Sequence, residues 1–385
     1  MNLITKAKNI ILFVVTYPVY WGQKLFFLNS IKSSRQKILF IQLSKMGDLI
    51  CTTPIYRLVK MNYPTAEISV LVGDSLAGVL RDNPHIDKIL TVSDDRKIIP
   101  LIKSIRQSGC REVIIFTPSI NIVIASVWAG ALKRISFLIK ETGRMNALTA
   151  RHFCNQIRPY LPHQYTVSQY IDILSDAGID IKVANPRLEK YDIFWTKEEE
   201  GKARSWLTSN NLDPDKDFLV GVAVVAGNQF KVWPLEKFVD FSKKIIDKYN
   251  VKIITIGTLK EKPILEKFVA GVGGDSIFYN TGFSINESAA LFSFLRVFVS
   301  ADCGQFYLAH AAGTPGVNII GPIDKLEHPP LGNNCEVVDY KVDCQPCSFG
   351  ALAARECRYG TSQCLLDTTV EDVMASFEKI INFKK

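Results

Sequence analysis

The 385-residue chain contains no G-x-G-x-x-G and no G-x-x-x-x-G-K-[ST], so a nicotinamide-binding or P-loop reading lacks its fingerprint. It also lacks an apolar run of the roughly 20 residues that a spanning helix needs. Its most apolar stretch, residues 10 to 21, carries Pro18 and is followed by Lys24. Small residues are missing where a cleavage site would fall, since Tyr17, Pro18, Val19, Tyr20 and Trp21 stand there, and removal as a signal peptide is not expected. Acidic residues are absent from positions 1 to 37, which hold Lys6, Lys8, Lys24, Lys32, Arg35 and Lys37. Those cations supply most of the formal net charge of +8, so the rest of the chain is nearly neutral and no nucleic-acid partner is expected. Nine cysteines make an odd number, and Cys51, Cys110, Cys154, Cys303 and Cys335 stand singly, which argues against a disulfide framework and for the cytoplasm.

What is present is an ordinary globular composition, 47% hydrophobic and 22% charged, with length for two or three domains. Residues 1 to 36 read as a membrane-associating segment, because Tyr17, Tyr20 and Trp21 flanked by lysines suit an anionic interface. The alternative is a helix packed against the protein's own body. From Lys37 onward the runs KILFIQL, EISVLV, KILTV, EVIIF and RISFL read as strands, separated by helical patterns over 47–62, 97–108 and 119–132. Residues 140 to 165 break this rhythm and, with Pro159 and Pro162, read as a basic loop. A second series follows: strands FLVGVAVV, VKIITIG, SIFYN, VFVSA and GVNII, with helices from Leu235, Lys260, Asn286 and Gln305. The expected fold class is α/β, with two Rossmann-like, doubly wound domains at 37–190 and 191–385 facing a central ligand cleft.

Three places on this framework could carry chemistry. Gly47 and Asp48 follow the first strand and open a helix, where a carboxylate stays ionised beside the helix dipole, although a plain capping role fits Asp48 equally well. Asp302, Gly304, Gln305 and Tyr307 sit between VFVSA and the next helix, whose N–H groups could meet an anion while the acid binds a sugar hydroxyl. Lys231, in KVWP, could pair with a phosphate, against the ordinary reading of a solvated loop lysine.

Taken together, KILFIQLSKMGDLICTTPIYRLVK, KVWP and SADCGQFYLAHAAGTPGVNIIGP resemble the motifs of glycosyltransferase family 9, the ADP-heptose:lipopolysaccharide heptosyltransferases, in the family's order from about residue 37 to the end. The resemblance implies a fold of the GT-B type. It implies Asp48 as general base and Lys231 as the contact to the donor diphosphate. Asp302, Gly304 and Gln305 would cradle the donor, with Tyr307 standing where the family usually has histidine. Thr281 and Glu287 fit the donor-binding stretch before the nucleotide-binding helix. Donor and acceptor would be ADP-heptose, or a related nucleotide sugar, and a phosphorylated glycolipid facing Lys140, Arg144 and Arg151. The enzyme would work at the cytoplasmic face of the inner membrane as a peripheral protein. An epimerase on the same architecture and a non-catalytic envelope-assembly module are the alternatives.

Cys344, Cys347, Cys357 and Cys364 fall within one loop, 344–364. Their spacing suits structural zinc, free thiols or disulfides, and glycosyl transfer itself would need no cofactor.

Overall fold

The computed structural model describes residues 3–27, 37–139, 142–182, 190–350, 354 and 356–382. The chain divides into two compact units, Met1–Lys45 with Thr52–Pro186, and Met46–Cys51 with Arg187–Lys385.

In the first unit the order is α1 (Leu3–Phe27), β1 (Lys37–Ile41), α2 (Met46–Asn62), β2 (Glu67–Gly73), a 3-10 turn (Asp74–Val79) and β3 (Lys88–Val92). It continues through α3 (Ile98–Ser108), β4 (Glu112–Ile115), α4 (Ile120–Trp128), β5 (Lys133–Leu138), α5 (Arg144–Phe153), β6 (Gln156–Pro159) and α6 (Thr166–Asp176). The first turn of α2, Met46–Cys51, is grouped with the second unit. That unit runs α7 (Lys197–Ser209), β7 (Leu219–Ala223), a 3-10 turn (Gln229–Lys231), α8 (Leu235–Tyr249), β8 (Lys252–Ile256), α9 (Lys262–Val272) and β9 (Ile277–Asn280). It ends with α10 (Ile285–Ser293), β10 (Val297–Ala301), α11 (Gly304–Ala311), β11 (Gly316–Ile320), β12 (Cys335–Asp339), α12 (Gln363–Leu366) and α13 (Val370–Asn382).

Among the described residues the strands form two six-stranded sheets, ordered β3-β2-β1-β4-β5-β6 and β12-β11-β10-β7-β8-β9, with every pair parallel. Counted within its own unit, each sheet has the order 3-2-1-4-5-6, that of a doubly wound fold. Parallel strands covered on both faces need continuous apolar runs, and β7, β10 and β11 are buried at every position. In the first unit Leu39, Ile41, Val113 and Ile115 pack with Leu101 and Ile105 of α3 and Ile122 and Val123 of α4. In the second, Val220, Val222, Val299 and Ile319 pack with Phe238 and Phe241 of α8 and Phe377 of α13.

The structure departs from the sequence reading at 140–165, where the described part holds α5 and β6 rather than a loop. Proline is tolerated in β6 because that strand is the sheet's edge and ends at Pro159, opposite Leu138 of β5. The strand β12 and the helix α13 are further elements beyond those expected from the sequence. α1 lies against its own unit by one face. Phe13 meets Phe153 at 5.0 Å, Gln23 Nε2 donates to the Val127 carbonyl at 2.6 Å, and Trp128 Nε1 donates to Thr16 Oγ1 at 2.9 Å.

Candidate functional site

In each sheet the strand order reverses beside the first strand, at β1/β4 and at β7/β10. Crevices at the carboxyl ends of such strands are where open α/β sheets bind ligands. Lys231 lies after β7 and Asp302 directly after β10, so the second reversal brings the two residues together. Lys231 Nζ is 2.9 Å from Asp302 Oδ2, and both side chains are largely buried.

The K-x-W-P sequence builds this placement. Asn228 Oδ1 accepts from the Phe230 N–H at 3.2 Å and starts the short turn that ends at Lys231. Trp233 is fully buried, and its Nε1 donates to the Thr368 carbonyl at 3.0 Å. Pro234 then stands at the N-cap of α8, where its missing N–H costs nothing. The tryptophan and proline thus anchor the turn from which Lys231 reaches Asp302.

On the other strand, Cys303 is the N-cap of α11 and makes no side-chain cap, and Lys45 at the start of α2 makes none either. These two helix starts approach closely. A Cβ on Gly304 would stand 3.0 Å from Met46 Cβ and 3.3 Å from the Gly47 nitrogen, and one on Gly47 would stand 3.1 Å from Tyr307 Cδ2. Glycine at both positions permits this approach, and two positive dipole ends come together without side-chain caps.

The Tyr307 hydroxyl donates to Asp302 Oδ1 at 3.0 Å and also lies 3.2 Å from the His328 carbonyl. Burial first, then the Asp302 charge, pushes the Tyr307 pKa well up, so the phenol stays a donor. Burial works against the Lys231 ammonium, but the charge and hydrogen bond of Asp302, followed by Asp48 and Cys303, outweigh it and leave its pKa above the ordinary value. Asp48 is therefore within electrostatic reach of Lys231, in the same unit. The arrangement offers an ammonium and two helix starts to an anion, with a second carboxylate, Asp48, on the first turn of α2.

Of the other residues singled out in the sequence, Gln305 lies on α11, its Nε2 donates to the Ile256 carbonyl at 3.0 Å, and its Oε1 has no partner among the described residues. Thr281 is half-buried in a turn where Asn280 Oδ1 accepts from the N–H groups of Gly282 and Phe283. Glu287 closes the capping box of α10 through the Ser284 N–H at 2.8 Å and pairs with Lys202 at 3.3 Å, so both its carboxylate oxygens are engaged. The Ser284 backbone N–H, above all, lowers its pKa. Arg144 and Arg151 belong to the other unit, exposed on α5, and Lys140 lies outside the described residues.

All four late cysteines are free. Burial and then Cys347 and Cys344 push the Cys364 thiol up to about 11, so these thiols sense one another. Among the described residues no group of three or more His, Cys, Asp or Glu side chains is placed to hold a metal ion.

Sequence reading missed Tyr191 and Cys51. Tyr191 is buried, its ring centroid is 6.2 Å from that of Tyr307, and its hydroxyl donates to the Pro329 carbonyl at 3.1 Å. Burial raises the Cys51 thiol well above its ordinary value, against a hydrogen bond from Tyr191, and Asp48 and Asp302 raise it further. Tyr191 lies outside the three motifs and Cys51 lies inside the first, three residues after Asp48, but a single buried aromatic or cysteine has no sequence signal of its own.

The model of glycosyltransferase family 9 (heptosyltransferase) matches residues 102–353. The chain belongs to this family and is a glycosyltransferase. It is 22% identical over 356 residues to lipopolysaccharide heptosyltransferase 3 of Escherichia coli (strain K12), covering 87% of this chain and 95% of that relative. Its fold is similar to the family 9 glycosyltransferase from Veillonella parvula DSM 2008, with a TM-score of 0.75 and 19% identity over 90% of this chain and 97% of that one. It is also similar to an E. coli heptosyltransferase solved with ADP, with a TM-score of 0.62 and 15% identity over 90% of this chain and 98% of that one.

Proposed function

We propose that the protein transfers heptose from ADP-heptose to a lipopolysaccharide core or similar glycolipid, with inversion at the anomeric carbon, at the cytoplasmic face of the inner membrane. The observation that carries this reading is the meeting of the α2 and α11 starts in the unit that also holds the Lys231–Asp302 pair. The names of the relatives support the sugar and acceptor class, and the similar E. coli structure with ADP supports the nucleotide. Nine free cysteines support a reducing compartment.

An acceptor hydroxyl is too weak an acid to ionise at neutral pH, so Asp48 takes its proton as the oxygen attacks the anomeric carbon. The bond from that carbon to the diphosphate oxygen breaks, and ADP leaves with the electron pair. Lys231 and the N–H groups at Gly304 and Gln305 offset the charge that builds on the leaving group, by about 3 to 4 kcal/mol if they act like an oxyanion-hole donor. Asp302, held by Tyr307, keeps Lys231 in place. With Asp48 as the base and the acceptor oxygen as the nucleophile, the transfer is a single displacement, hence inversion. Lys140, Arg144 and Arg151 bind acceptor phosphates, and the transfer uses no cofactor.

The test pairs a thermal-shift comparison of ADP-, UDP- and GDP-sugars with a transfer assay on a heptose-acceptor glycolipid. The expected result is preferential stabilisation by the ADP-sugar and transfer that depends on acceptor. Release of an altered free sugar without acceptor would identify an epimerase instead, and binding of no nucleotide sugar would leave a non-catalytic module.

A further inference from the structure

We propose that the exposed face of α1 is a docking surface for an anionic lipid bilayer, on which the helix lies in the plane of the interface. This inference does not depend on which sugar or acceptor the enzyme uses. One face of α1 is committed to its own unit: Thr16 is fully buried, Tyr20 stands 5.5 Å from Phe153 by ring centroids, and Gln23 is held by Val127. The opposite face is apolar and largely exposed, with Tyr17 at its border, 6.4 Å from Phe153 by ring centroids. Ile10, Val14, Tyr17 and Trp21 recur at i, i+4, i+7 and i+11, with Ile11 and Leu25 beside them. Ile11 is 60% exposed, Val14 61%, Trp21 43% and Leu25 73%. From Ile10 to Leu25 the stripe runs about 22 Å at ~1.5 Å per residue.

Large apolar side chains in such a stripe are not ordinary surface for a soluble unit. Charge selects what covers it. Lys8 and Lys24 are exposed on α1, Lys24 Nζ stands 5.3 Å over the Trp21 ring, and no acidic residue precedes Asp48. The adjoining helix α5, in contact with α1 through Phe13, carries exposed Arg144, Leu148 and Arg151 at i, i+4 and i+7. A second copy docking through this face would bring like charges together with no acid on the helix to pair them. An anionic bilayer supplies both the apolar interior and the opposite charge, and tyrosine and tryptophan beside lysine suit its headgroup layer. No helix among the described residues is long and apolar enough to cross a membrane.

The experiment is cosedimentation of the full chain with vesicles of phosphatidylcholine alone or mixed with phosphatidylglycerol, at low and raised salt. Wild-type protein should bind the mixed vesicles and lose on the order of tenfold in affinity with neutral lipid or raised salt. The triple variant Ile11→Gln, Val14→Gln, Trp21→Gln should lose at least as much on mixed vesicles while keeping its unfolding transition. Should that variant fail to fold, Lys8→Glu with Lys24→Glu, which leaves the stripe intact, must weaken binding at low salt. The proposal is overturned if wild-type protein stays in the supernatant, if neutral and mixed vesicles bind it alike, if the folded variant binds like wild type, or if the wild type is a dimer that the variant turns into monomers.

Discussion

Asp302 holds two donors at once, Lys231 through one carboxylate oxygen and the Tyr307 hydroxyl through the other. Tyrosine at position 307 cannot carry a positive charge at neutral pH, as a histidine can, but it donates to the carboxylate that positions the lysine. Tyr307, Asp302 and Lys231 therefore form one connected group. Three residues further along α11, His310 is buried. Its Nε2 accepts from the Leu331 N–H at 3.0 Å, and Cys335 Sγ lies 3.2 Å from its Nδ1. Burial pushes its pKa from the ordinary 6.5 down to about 4. The unfolded chain thus binds a proton that the folded chain refuses across that interval, so this residue's contribution is intact above pH 6.5 and falls as the pH drops toward 4. The loss amounts to at most about 3 kcal/mol, at 1.36 kcal/mol per pH unit. Equilibrium denaturation of wild type and His310→Gln over this range should show a steeper pH slope for wild type, and parallel slopes would contradict the assignment. At this scale Asp48, Lys231, Asp302 and Gly304 were legible because strand–turn–helix motifs mark them. Their mutual geometry was not, because a hydrogen bond between residues 231 and 302 depends on which strands become neighbours.

Helix starts are the elements that make the site. α2 and α11 come together because neither Gly47 nor Gly304 has a Cβ. In Gly304→Ala the new methyl would meet Met46 Cβ at 3.0 Å and the Gly47 nitrogen at 3.3 Å. The Met46 Cε at 2.7 Å can swing away, but backbone must shift to relieve the rest. Overpacking of this kind costs about 1 to 3 kcal/mol. A lowered midpoint in urea together with weakened ADP-sugar binding in calorimetry is the expected outcome, and wild-type values in both would show that the close approach is dispensable. Most strands were visible from their apolar runs, since parallel strands buried on both faces leave no other pattern. α5 and β6 were hidden by Pro159 and a run of basic residues on exposed surface. The final described helix, α13, carries a readable stripe, with Val370, Val373, Phe377 and Ile380 buried. For α1 the packed-helix reading matches the face that meets Phe153 and Val127, while the interfacial reading of its exposed face stands as the proposal above.

Across the whole molecule the same strand order occurs twice, and the second occurrence places Lys231 and Asp302 at its reversal point. Asp48 follows the first strand of the first sheet, yet the turn that bears it is grouped with the second unit, alongside the lysine whose charge it senses. Fold class and family were legible in the three motifs together. The electrostatic reach of Asp48 to Lys231 was not, because that follows from long-range packing of a single helical turn. The account of function rests on this carboxylate acting as the base while the rest of the site binds the donor. Turnover of Asp48→Asn at saturating ADP-heptose tests it most directly, with donor affinity measured on the same preparation. The account predicts a fall of about two to four orders of magnitude in transfer with donor affinity near wild type, whereas near-normal transfer would return Asp48 to the role of a helix-start residue and contradict the mechanism.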